Sequence, residues 1–164
     1  MPNNFDQFLD EFRQTIVDAT TRLRYITPEQ SRNKISDDNW SRIEILGHLV
    51  DSAANNHQRF VRAQFTDDLV FPGYEQNGWV SVQKYQDESW PELIQLWSSY
   101  NLHFVHVFAA IPESTRTKLR QKHNLDEIAL GGPPKSQPST LEYLMRDYVD
   151  HLRHHLNQIF AQTS

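Results

Sequence analysis

Apolar residues recur at three- and four-residue spacing in four separate stretches of this chain. From about Asn4 to Arg24 they fall at Phe5, Phe8, Leu9, Phe12, Ile16, Ala19 and Leu23, the spacing that lines one face of an α-helix. A second helical stretch starts near Ser41 and runs to about Phe65. A third runs from Ser89 to just before Pro112, and a fourth from Ser139 to about Gln162. Each of these three opens on a serine followed three residues later by a glutamate (Ser41/Glu44, Ser89/Glu92, Ser139/Glu142). That spacing lets the two side chains cap each other's backbone N–H groups. Thr27 to Asp38 reads as a loop. Thr66 to Gly78 reads as a loop rich in Pro, Gly and aromatic residues, followed by a short helical turn around Val80 to Tyr85. Pro112 to Pro138 reads as irregular. The pattern predicts an all-α four-helix bundle, a single domain over residues 1–164, with two long connections. Connections of that length within a compact domain commonly carry function.

Composition narrows the chemistry. A chain of 164 residues is long enough to bury a core. Its net charge of −5 and lack of any Lys/Arg block argue against a nucleic-acid partner. No apolar run is long enough to span a membrane and no N-terminal leader pattern is present, so the expectation is a cytoplasmic protein with no membrane partner. Cysteine is absent, which excludes disulfides, a thiolate nucleophile and thiolate zinc sites. Eight histidines remain as the main candidates for chemistry.

On the fourth helix His151 and His155 are one turn apart, at the edge of the stripe formed by Leu141, Met145, Leu152, Leu156 and Ile159. Two imidazoles so placed can reach one metal ion. Asp147, a turn earlier, is positioned to orient His151 through its other ring nitrogen. On the second helix the apolar face carries Ile43, Leu46, Leu49, Val50, Ala53 and Phe60, and His57 falls on it. His48 falls on the opposite side, in line with Asp51, Ser52, Asn55 and Arg59. Periodicity therefore favours His57 as the inward histidine, and the stripe of His48 either faces solvent or lines a polar cavity. His103 and His106 on the third helix read as boundary residues packed among aromatics. There is no Gly-rich phosphate loop, no nucleophile elbow and no His-Glu-x-x-His motif. The Glu-x-x-His pairs of di-iron bundles are absent too, so a metal site here would be mononuclear.

Several of these segments together resemble the DinB/YfiT-like superfamily. They are Trp40-Ser41 to Ile45, Gly47-His48-Leu49-Val50-Asp51-Ser52, Asn55, Arg59-Phe60, Pro72-Gly73-Tyr74-Glu75, Trp79, and Tyr148-Val149-Asp150-His151 with His154-His155. The match is nearest to the YfiT branch, whose members are described as metal-dependent hydrolases and linked to bacillithiol S-transferases. The resemblance implies a four-helix bundle holding one divalent metal ion, zinc or nickel, on His48, His151 and His155. That reverses the choice periodicity makes on the second helix. It also implies an enzyme that transfers a low-molecular-weight, bacillithiol-like thiol to an electrophilic substrate. The alternatives are a metal-dependent hydrolase and a non-catalytic, metal-stabilised stress-response or binding protein. With no cysteine in the chain, the thiol must arrive as a cosubstrate. Arg59 is expected to steady an anionic group of that thiol, and Asp51 and Asp147 to hold an imidazole or accept a proton. Tyr74 and Trp79 are expected either to cover the site or to pin their loop to the bundle. Trp90, Trp97 and Tyr100 serve either the core or pairing with a second copy of the chain.

Overall fold

The computed structural model describes residues 4–163. In chain order the helices are α1 (Asn4–Arg24), α2 (Pro28–Arg32), α3 (Arg42–Arg62), α4 (Gln76–Gln83), α5 (Trp90–Ala110), α6 (Glu113–Arg116), α7 (Leu125–Ile128) and α8 (Leu141–Ala161). A single 3-10 turn, Tyr85–Asp87, lies between α4 and α5. The four long helices, α1, α3, α5 and α8, form the bundle. None of the described helices is long and apolar enough to cross a membrane.

The order of the helices around the bundle is not the order of the chain. α1 packs on α5 and α8, and α3 packs on the same two helices. The consecutive long helices α1 and α3 therefore lie diagonally across the bundle, as do α5 and α8. A diagonal crossing needs more chain than the short loop that joins adjacent antiparallel helices. Residues 25–41 supply it and fold part of their length into α2, which packs on α3 and α5. The signal for α2 is local: Thr27 Oγ1 accepts from Gln30 N, Gln30 Oε1 accepts from Thr27 N, and Pro28 opens the helix.

Aromatic rings link the long helices across the core. Phe8 and Phe12 of α1 stack near Phe108 of α5, with centroids 6.5 and 6.0 Å from it. Phe60 of α3 stands edge-on to Phe104, Phe108 and Tyr148, joining α3, α5 and α8. In that geometry the positive edge of one ring meets the negative face of the next. The Tyr148 hydroxyl donates to Asn101 Oδ1 at 2.6 Å, and Asn101 Nδ2 donates to the Trp97 carbonyl at 2.9 Å. The Tyr148 hydroxyl and the Asn101 amide brought into the core are thus satisfied within it. Trp90 and Trp97 are buried here, so both belong to the core and offer no surface to a second copy.

Ser41 caps α3 with the expected reciprocal bonds to Glu44. At α8 the cap shifts by one residue. Thr140 Oγ1 accepts from Tyr143 N, while Ser139 exchanges backbone hydrogen bonds with Arg120. Glu142 is consequently free to pair with Arg116 and Arg146. The stretch 112–138 is also more ordered than its polarity predicts. Leu69 bridges to residues 122–124, which stitches the two long connections together. Asn124 reinforces the bridge: its side chain accepts from Phe71 N at 3.0 Å and donates to Phe71 O at 2.8 Å. His123 is a structural residue of this knot. Its Nδ1 accepts from Leu125 N, and Nε2 donates to the Gln137 carbonyl.

Gly47, in the middle of α3, is set by close approach. A Cβ there would lie 2.2–2.5 Å from carbons of the Tyr85 ring. Only without it can Tyr85 lie flat on α3 and donate its hydroxyl to Asp51 Oδ1 at 2.7 Å. Gly47→Ala should therefore destabilise the protein by about 1–3 kcal/mol in urea denaturation. Tyr85→Ala removes the clashing ring, so the double variant should be less destabilised than the sum of the two single variants.

Candidate metal centre

Three imidazoles from two helices converge near one end of the bundle. His48 comes from α3, and His151 and His155 come from successive turns of α8. One ring nitrogen from each lies within 4.8 Å of the others. The ring centroids are separated by 5.3 Å (His48–His151), 4.7 Å (His48–His155) and 4.6 Å (His151–His155). His48 Nε2 and His151 Nε2 are 3.3 Å apart. Two nitrogens bound tetrahedrally to one ion at ~2.0–2.1 Å would stand about 3.3 Å apart. The donor set therefore fits a divalent ion on three neutral imidazoles. Among the described residues, no other group of three or more His, Cys, Asp or Glu side chains has this convergence.

The electrostatics favour the same state. His48 is fully buried. Burial, and then the charge of His155, pull its imidazole down to about 4. Burial and the neighbouring His155, His48 and His154 take His151 to about 3. His155 is lowered too, chiefly by burial. All three rings are thus neutral at physiological pH, the form that ligates metal, and an ion need not compete with protons for them. His155 Nδ1 donates to Gln158 Oε1 at 2.7 Å, and Gln158 Nε2 in turn donates to His154 Nε2 at 3.3 Å. This relay fixes the His155 tautomer and leaves Nε2 free to ligate. Gln158 lies one turn beyond His155, so the partner was present in the sequence as an i, i+3 pair. Trp40, from the segment before α3, packs its ring 5.0 Å from that of His48.

His57 lies on the seam between α3 and α5. Its Nδ1 meets the Tyr100 hydroxyl at 3.1 Å, and its ring stands edge-on to His103 and Phe104. His57 and His48 are half a turn apart around α3, and the structure buries His48 more deeply. Periodicity misreads this helix because α3 has neighbours on both sides. Its apolar face meets α5 and α8, and its polar stripe is covered by α4, the 3-10 turn and the loop before them.

The remaining singled-out residues divide between several places. Asp51, one turn from His48, accepts on Oδ1 from Tyr85 at 2.7 Å and from Gln83 at 2.7 Å, while its buried Oδ2 has no hydrogen-bond partner. Burial raises its pKa, and the two hydrogen bonds only partly offset that. Asp147 does not hold His151. Its two oxygens accept from Leu130 N and Gly131 N, both at 2.8 Å, and so tie the second long connection to α8. Eleven residues separate Arg59 from His48, about 16 Å along the helix axis. Its guanidinium donates to Asn56 Oδ1 and to the Pro72 carbonyl. It lines a cavity other than the one beside the histidines, so the expected role at the cluster does not follow from its position. Tyr74 packs against Trp79 with tilted rings at a centroid distance of 5.1 Å. Burial, and then Asp51, hold the Tyr74 phenol up at about 12.

A cavity of about 570 Å³ opens beside His155, lined by residues that include Asn39, Trp40, Ile45, Asn77 and Gln158. Asn77 belongs to α4, so the first long connection forms one wall. The centre is therefore three buried or half-buried neutral imidazoles, of which His155 borders a ligand-sized space.

A helical bundle with three convergent imidazoles is the class that fold and site define, and comparison with known proteins gives the family and the fold. The family profile described as the DinB superfamily matches residues 9–159, and the chain belongs to that superfamily. Among solved structures it is similar to YfiT from Bacillus subtilis, described as a probable metal-dependent hydrolase with an unusual four-helix bundle topology. Identity is 16%, the TM-score is 0.72, and the alignment covers 98% of this chain and 87% of YfiT. At that identity the likeness is one of fold. No curated protein sequence matches the chain significantly.

Two measurements test the centre. Metal analysis by elemental mass spectrometry should find one divalent ion per chain in the wild type and in His57→Ala, and loss of it in His48→Ala, His151→Ala or His155→Ala. Metal-free protein should lose stability on acidification. The histidines are depressed in the fold relative to about 6.5 in the unfolded chain, so their contribution is complete above 6.5. It is lost as pH falls from 6.5 towards the folded values of about 4 and 3. Thermal melts should show the midpoint falling through that window, and His48→Gln should flatten the fall.

Proposed function

We propose that this protein is a metal-dependent enzyme that transfers a low-molecular-weight, bacillithiol-like thiol to an electrophilic substrate. The observation that carries the reading is the convergence of three neutral imidazoles beside a ligand-sized cavity, with no carboxylate in the convergent group. When bound there, a divalent ion such as zinc or nickel keeps its full charge and an open position, and so supplies Lewis-acid activation of a thiol or a water. His48, His151 and His155 would hold it, and Gln158 orients His155. The chain has no cysteine, so the sulfur comes from the cosubstrate. In the overall reaction one carbon–sulfur bond forms, the bond from that carbon to its leaving group breaks with the electron pair, and the thiol proton is released. Asp51, whose Oδ2 is unengaged and whose pKa burial raises, is the proposed proton acceptor. A reduced thiol cosubstrate is available in the cytoplasm, the compartment proposed for this chain.

Hydrolysis is the second reading. It is supported by the description of YfiT as a probable metal-dependent hydrolase and by the same free Asp51 oxygen, which would serve a water as a base. The two readings separate on one assay. Zinc- or nickel-loaded protein is incubated with monochlorobimane and bacillithiol, cysteine or coenzyme A, and in parallel with ester and amide substrates without thiol. Thiol transfer predicts conjugate formation that rises with thiol concentration, with His151→Ala losing roughly a hundredfold or more. Turnover of esters or amides that thiol does not alter would replace this reading with hydrolysis.

A further inference from the structure

A second cavity lies away from the histidines. About 710 Å³ in volume, it sits at the C-terminal end of α3 and is lined by residues that include Arg59, Arg62, Phe65, Val70, Phe71 and Pro72. Its walls pair two guanidinium groups with an apolar surface. Phe65 is 84% exposed and Val70 43% exposed at the rim, while Phe71 is buried beneath. Large apolar side chains held in the open around a concavity suit a ligand with an apolar body.

The charge at this end of the helix is unbalanced. Arg59 is only 4% exposed, yet its hydrogen bonds go to a neutral amide and a neutral carbonyl, and among the described residues no carboxylate forms an ion pair with it. Buried guanidinium groups are normally paired with an acid. Arg62 is exposed and bonds to the Gln58 amide oxygen at 3.0 Å. A third guanidinium, Arg120, is buried at the same helix end. It donates to the Ala63 carbonyl, and its Nε and Nη1 have no partner. The helix terminus offers only about half a negative charge against these three. The nearby acids Asp67 and Asp68 are engaged by Lys118 at 2.6 Å and Lys122 at 3.8 Å. The lining itself carries Arg59 and Arg62 against one carboxylate, Asp68, which pairs with Lys122 at 3.8 Å, in a chain whose net charge is −5.

We infer that this cavity binds a small organic carboxylate with an apolar body, its carboxylate on Arg59 and Arg62 and its body against Phe65, Val70 and Phe71. Arginine suits the head group because its planar donors match both oxygens of a carboxylate. The cavity does not involve the histidine centre, so the inference stands apart from the reaction proposed above.

The test is a titration of ¹⁵N-labelled full-length protein with 3-phenylpropionate, followed by amide chemical shifts, with 3-phenylpropan-1-ol as the neutral control. The expected shifts cluster at residues 58–72, the alcohol produces none there, and His155→Ala binds as the wild type does. Arg62→Gln should weaken binding about tenfold. Because Arg62 is at the surface, this variant separates ligand recognition from folding. Val70→Asp, also at the exposed rim, should weaken it further by placing a like charge beside the carboxylate. Absence of shifts at millimolar ligand, shifts centred instead on His155 and Gln158, or equal binding of the alcohol would each overturn the inference.

Discussion

A helix that buries two faces must find partners inside the protein for every polar group on the second one. α3 is such a helix, and the rest of the molecule is arranged around it. Its apolar face packs on α5 and α8. Its other face carries His48, Asp51, Ser52 and Arg59, all buried. Solvent is not available to these groups, so chain from elsewhere must supply their partners. Tyr85 and Gln83 satisfy Asp51 Oδ1, the Pro72 carbonyl meets Arg59, and α8 brings two imidazoles to His48. The long connection between α3 and α5 is thus the cover that makes a buried polar stripe tolerable. Gly47 is the point at which that cover comes closest to the helix axis.

The histidine centre follows from the same constraint, at a cost in stability. Three imidazoles packed together out of water resist protonation, so each is held neutral by burial and by its neighbours. A cluster of neutral nitrogen lone pairs is poorly matched to a metal-free core and well matched to a cation. Two buried atoms near the centre, His48 Nδ1 and Asp51 Oδ2, have no hydrogen-bond partner. The centre sits in a bundle where the consecutive helices α1 and α3 lie diagonally. That arrangement sets α3 beside α8, which is what brings His48 to His151 and His155.

The second long connection shows how polar sequence becomes ordered without a hydrophobic run of its own. Residues 112–138 are anchored at single points by side chains that substitute for backbone partners. Asn124 pairs with Phe71 as a strand residue would, His123 bonds at both ring nitrogens, and Asp147 takes up two consecutive N–H groups. Apart from the bond between His123 and Leu125, each anchor is separated by 14 or more residues from its partner. Local composition therefore carries no trace of it.

The sequence by itself determined the four long helices, because a 3.6-residue apolar period is a local property, and it placed the start of α3 through the Ser41–Glu44 cap. It also placed His151 and His155 on one face, since four residues on a helix is one turn. The choice between His48 and His57 could not be made from α3 alone. Periodicity reports which face is apolar, and it does not report whether the polar face is covered. Only the tertiary structure decided that, by laying residues 71–87 over the stripe and setting α8 against its N-terminal half. The same holds for Asp147 and Arg59. Their positions along the helices were legible, but their partners, a loop backbone for one and a separate cavity for the other, come from segments distant in sequence. Local structure follows from neighbours along the chain, whereas a site built from two helices follows from how the chain returns to itself.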